Sequence, residues 1–135
     1  MKNKTDLVRG WLRKAESDRA AIEASMNANV FDVACFHAQQ EAEKMLKAYL
    51  AYHELDFPPT HNLARLVRLC AKVYPAFAEL LSVVEPLTPY AVALRYDLEF
   101  WPSRDDAARA RTLLDTIREF VLAQLPANVR KNADI

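Results

Sequence analysis

The stretch Phe31-Asp32-Val33-Ala34-Cys35-Phe36-His37-Ala38-Gln39-Gln40-Glu41-Ala42-Glu43-Lys44-Met45-Leu46-Lys47-Ala48-Tyr49-Leu50 decides the fold. Its apolar stripe is Phe31, Ala34, Cys35, Ala38, Ala42, Met45, Leu46, Tyr49 and Leu50. That recurrence at intervals of three and four is the period of an α-helix, not the alternation of a strand. Neither glycine nor proline interrupts the run, so the spacing predicts one long helix over about Val30 to Tyr52, with Asn29 as its N-cap.

Upstream, Val8, Trp11, Leu12, Ala15, Ile22 and Met26 repeat the same template and predict a helix from about Leu7 to Asn27, started by Thr5 or Asp6. The break between the two is so short that they must form an antiparallel pair. Downstream, Pro58 and Pro59 remove amide donors and mark a loop over Glu54 to Pro59. A third helix follows over about His61 to Val73, burying Leu63, Leu66, Val67 and Cys70. Pro75, Pro86 and Pro89 divide the next region into short helical pieces, Ala76 to Val84 and then a turn or more to about Leu94. Asp97 to Pro102 has no helical period and reads as an extended connection laid over the bundle. Ser103 with Asp106 has capping-box spacing and opens a last helix to about Leu125, with Ala107, Ala110, Leu114, Ile117 and Val121 inward. Pro126 ends it, and residues 127–135 read as a frayed polar tail. The expected architecture is all-α: an up-and-down bundle of four long or medium helices plus short helical segments, in one domain over residues 1–126.

Composition narrows the function classes. The chain has 135 residues, 52% of them hydrophobic, enough for a core that needs no staple. Its single glycine, Gly10, leaves no material for a phosphate-cradling loop or a dinucleotide turn. Any nucleotide contact must come from side chains and helix ends. The formal net charge of zero argues against strong duplex DNA binding, although a local basic pocket remains open. Cys35 and Cys70 stand far apart among apolar residues and read as core; no HExxH or paired CxxC motif suggests a metal, and no cofactor is expected. No apolar run reaches the length of a membrane span, and the polar N-terminus has no signal-type segment behind it, so a cytoplasmic location is expected.

Candidate binding residues fall in three places. On the second helix, His37, Gln40 and Lys44 share one narrow face, with Gln39, Glu43 and Lys47 in the neighbouring row. This is either a ligand face or a solvated or helix-contacting face held by pairs such as Glu43 with Lys47. His61 sits near a helix start, where outward amides can receive an anion, or else it packs or caps. His53, at a helix C-terminus, suits a structural role when protonated. Arg95 and Tyr96 lie where the helical pattern stops; an arginine fork there can meet a phosphate and a tyrosine ring can stack, or Arg95 can pair with Asp97 or an acid of the second helix.

The run Phe31 to Leu50 resembles the second helix of HEPN domains. Ala15-Glu16-Ser17-Asp18, Thr60-His61-Asn62-Leu63 and Leu94-Arg95-Tyr96-Asp97 resemble further elements of that family in the same order, over about residues 6 to 125. In the last of these, Asp97 follows Tyr96 directly where the family pattern has a proline. The resemblance implies a helical bundle, commonly a homodimer, linked with nucleotide binding and often encoded beside a small nucleotidyltransferase in toxin–antitoxin-like systems. Some members are toxin ribonucleases, which carry an arginine followed four to six residues later by a histidine. Here no histidine occurs after His61, so Arg95 lacks that partner. Three readings follow: a nucleotide- or RNA-binding module using His37, Gln40, Lys44, Arg95, Tyr96 and His61; a ribonuclease borrowing a histidine such as His37; and a purely structural dimer.

Overall fold

The computed structural model describes residues 3–130, the side chain of Arg95 excepted. The chain is built on α1 (Lys4–Asn27) and α2 (Phe31–Tyr52), which pack along one another as the antiparallel pair their short connection requires. Asn3 caps α1, its side-chain oxygen accepting from the Asp6 amide at 2.9 Å. The helix therefore starts one turn earlier than the apolar pattern suggests, because a cap is set by the local side chain and not by the stripe. The α1–α2 corner is closed by Asn29, which does not cap α2 but adopts a left-handed conformation at φ 61°. The Val30 amide reaches back to the Ser25 carbonyl at 2.8 Å, the long-range bond of a helix-terminating turn. The same device ends α2, where Glu54 has φ 56° and the Leu55 amide bonds the Leu50 carbonyl at 3.0 Å. In a chain with one glycine, asparagine and glutamate do glycine's work at both corners.

Beyond the corner, α3 (Leu63–Ala71) is shorter than the periodicity implies. Asn62 caps it through the Arg65 amide, so His61 precedes the helix. The proline-rich region is a 3-10 segment Pro75–Leu80, α4 (Leu81–Val84), a second 3-10 segment Glu85–Ala91 and α5 (Ala93–Tyr96). Ser103 and Asp106 form the expected capping box of α6 (Arg104–Ala123). Residues Ala127–Arg130 make a helical turn, α7, with Val129 buried; the part of the expected frayed tail that lies here is docked, since an apolar residue one turn past Pro126 reaches the core and Arg130 bonds the Leu122 carbonyl. Residues 131–135 of that tail lie outside the described residues.

The helix α2 is the axis, touching α1, α6, α3 and the second 3-10 segment, and it is buried nearly all round. Leu12, Ile22, Met45, Leu46, Leu66, Phe77, Leu114 and Ile117 fill the core with no exposed surface beyond 2%. Cys35 and Cys70 are buried free thiols, as expected; burial pushes them up to about 11 and about 12, so both stay protonated. Among the described residues the architecture is all-α, no helix is long and apolar enough to cross a membrane, and no cluster of potential ligands could hold a metal ion.

Candidate functional site

The polar residues of α2 are distributed over three networks. The first joins α2 to α1: the carboxylate of Asp18, almost fully buried, takes His37 Nδ1 at 2.7 Å on one oxygen and Lys44 Nζ at 2.5 Å on the other. Two of the expected face residues thus meet on a third that the periodicity did not single out. Asp18 falls in the gap of the α1 stripe, three after Ala15 and four before Ile22.

In the second network Gln40 donates to Gln39 at 2.7 Å, and Gln39 donates in turn to Glu43 and to the His61 carbonyl. Glu43 takes His61 Nδ1 at 2.8 Å and Lys47 Nζ at 3.1 Å. The Glu43–Lys47 pair is the expected one, but it is buried, not solvated. His61 is therefore the clasp by which the loop before α3 is fastened to α2. His61 and His37 bind different carboxylates, Glu43 and Asp18, and of the α3 amides the one at Arg65 is taken by the Asn62 side chain. Lys47 also rests against the rings of Trp11 and Phe57, at 5.5 and 5.9 Å from their centroids.

The third network went unrecognised in the sequence. Glu41 is completely buried, with Arg19 at 3.2 Å and Arg118 at 3.5 Å from one oxygen. Arg118 continues to Glu16, and Arg19 to Asp115, so that α1, α2 and α6 are tied by charge. Burial, only partly countered by the two arginines, pushes the Glu41 carboxyl up to about 7. Its other oxygen has no hydrogen-bond partner among the described residues. His53 packs against Tyr49 and Tyr52 at the end of α2, and burial with the nearby Lys4 lowers its pKa, which disfavours the protonated form.

A cleft of about 310 Å³ opens beside the first network, lined by Asp32, Val33, Phe36, His37 and Leu94. It joins the first turns of α2 to α5, the element whose backbone carries Arg95 and Tyr96. The Arg95 side chain lies outside the described residues. Tyr96 is 76% exposed, Leu98 82% and Trp101 73%, so the connection to α6 presents apolar side chains to solvent and is not laid over the bundle. Phe100 turns inward, its ring 5.9 Å from that of Tyr90, and Pro102 is half-buried. Asp97 accepts from the Glu99 amide and fixes the turn.

The chain is thus a helical domain whose central helix carries buried polar networks and whose open cleft adjoins an apolar rim. The HEPN domain model matches residues 8–125, and the protein belongs to the HEPN family. Its fold is similar to the crystal structure of an archaeal HEPN homologue, at 23% identity, covering 92% of this chain and 98% of that one with a TM-score of 0.71. Among curated proteins none matches.

Proposed function

We propose that this protein is a dimeric nucleotide- or RNA-binding module whose ligand enters the cleft between the start of α2 and α5. The observation that carries the reading is the place of His37: it lines the cleft while its Nδ1 is held by buried Asp18, so the imidazole is oriented by the protein before any ligand arrives. Phe36 in the wall and Tyr96 just beyond Leu94 supply the aromatic surfaces on which bases stack. Asp32 is an acceptor suited to an exocyclic amine. The family's link with nucleotides supports the same reading, and the exposed Tyr96, Leu98 and Trp101 suit a second copy or a nucleotidyltransferase partner.

Thermal unfolding over a panel of nucleotides and short RNAs tests it, because a ligand confined to the folded state adds about 2.7 kcal/mol at a hundredfold excess over Kd. Wild type should gain stability with at least one of them, and His37→Ala should lose the gain. No shift with any ligand would remove the reading.

The Asp18–His37 pair also favours a second reading, cleavage of RNA. A carboxylate-oriented imidazole is the arrangement of a general base. It would take the proton of a ribose 2′-hydroxyl as that oxygen bonds phosphorus, and return it to the departing 5′-oxygen as the old bond breaks. RNA left intact by the purified protein over hours rejects it.

A further inference from the structure

We infer that the protein has a second, separate binding site, for a small organic ammonium ion joined to an apolar or aromatic body, at the opposite end of the α1–α2 pair. Here a cavity of about 690 Å³ lies between the first turns of α1 and the corner after α2, a size suited to a small molecule. Leu7, Trp11, Ala51, Leu55 and Phe57 form its apolar wall. Trp11 and Phe57 meet edge to face at 6.0 Å, so the wall is an ordered pair of rings.

Charge selects the ligand. Glu54 and Asp56 line the same cavity, both exposed, and neither carboxylate has an ion-pair or hydrogen-bond partner among the described residues. Glu54 is fixed there by the left-handed turn that ends α2. The one cation of the wall, Lys4, rests on the Tyr52 ring at 4.5 Å. Lys47, behind Trp11 and Phe57, is matched by Glu43. A phosphate would meet two unpaired carboxylates, whereas an ammonium would meet them together with aromatic rings. The Lys47 ammonium lies 5.5 and 5.9 Å from the centroids of these two rings, within the range of cation–π attraction. The site does not depend on the nucleotide reading, which concerns the far cleft.

Trp11 is its own reporter. The chain has two tryptophans, and Trp101 is exposed, so Trp101→Phe leaves a single fluorophore in the cavity wall without disturbing the core. The titrants are phenethylammonium, uncharged phenethyl alcohol and ATP. Phenethylammonium should give a saturable change in Trp11 emission that weakens with salt, and the alcohol should bind much less. Glu54→Gln with Asp56→Asn, two exposed changes, should reduce ammonium affinity roughly tenfold, the order expected for losing two surface charge contacts. An unchanged circular dichroism spectrum verifies that this variant is folded. Equal binding of the alcohol, a response to ATP at the same concentrations, insensitivity to the double substitution, or no saturable change with the ammonium would each overturn the proposal.

Discussion

His37 Nδ1 lies 2.7 Å from Asp18 Oδ1, a contact that bridges α2 to α1 from inside the helix pair. Lys44 takes the other oxygen of the same carboxylate, so Asp18 satisfies two bases of α2. Asp18→Ala removes both partners at once and should cost about 1 to 3 kcal/mol, the penalty for stranding partly buried polar groups. His37→Ala should cost less, because Asp18 then keeps Lys44. Urea denaturation orders the two, and a His37→Ala penalty equal to that of Asp18→Ala would show that the pair is not organised around the carboxylate.

Glu41 should make stability depend on pH in a defined direction. Its folded value, about 7, lies above the ordinary 4.5. The folded state therefore binds the extra proton, and the associated stability is complete below about 4.5 and lost as pH rises through about 7. His53 works the other way: its lowered pKa costs stability as pH falls below 6.5. The difference between wild type and Glu41→Gln isolates the carboxyl. From about pH 8 to about pH 5.5 the wild type should gain melting temperature relative to the variant, and parallel curves would refute the assignment.

Asp18 and Glu41 stand in the sequence as interruptions of a rule. Glu41 falls on the row Ala34, Ala38, Met45 and Ala48, at the alternating spacing of a buried seam, and Asp18 fills the vacant place between Ala15 and Ile22. A single acid on an apolar row signals a partner on the facing helix, but the row cannot say which helix faces it. That is why periodicity placed α1, α2 and α6 while the ion pairs with Arg19 and Arg118 stayed hidden. Helical spacing put His37 and Lys44 on one face, yet did not show what holds them. Helix ends were less legible for a related reason: Asn3, Asn29 and Asn62 are one residue type in two roles, and only the backbone angle separates a cap from a left-handed corner.

Backbone chemistry offers two stabilising substitutions. Gly10 lies within α1 and an added Cβ there meets nothing within 4 Å. Gly10→Ala should therefore stabilise the fold by about 0.5 to 1 kcal/mol through the reduced entropy of the unfolded chain. At Glu54 the reverse applies, since φ 56° is unfavourable for a side chain by about 1 to 2 kcal/mol. Glu54→Gly relieves that strain, less the entropy glycine adds to the unfolded state. Denaturant midpoints should rise for both, and a fall for Gly10→Ala would mean that this face of α1 is covered in solution.

The turn after Pro126 is a structural element. Val129 is 1% exposed against the core, and Arg9 donates to the Asn128 carbonyl, holding α7 to α1. Ending the chain at Pro126 should lower stability by about 1.5 to 3 kcal/mol, the worth of a buried valine side chain. Val129→Ala in the full chain should reproduce part of that loss, and ending the chain at Arg130 should avoid it. Equal stability of the Pro126 and Arg130 forms would return this segment to the status of a tail.

Trp101 and Leu98 are the most direct test of association between copies. Both are largely exposed, so replacing them with aspartate removes no core contact, and surface changes of this kind leave folding within about 0.5 kcal/mol. If the rim is where two copies meet, Leu98→Asp with Trp101→Asp should convert a dimer to a monomer of unchanged helicity, read by sedimentation. Should the neighbouring cleft need the second copy to be complete, the same variant also loses ligand stabilisation although His37 and Asp18 are intact. A cleft that works within one copy predicts a monomer that still responds to ligand. An unchanged sedimentation coefficient would place any dimer contact on another face, with the apolar rim left for a different partner.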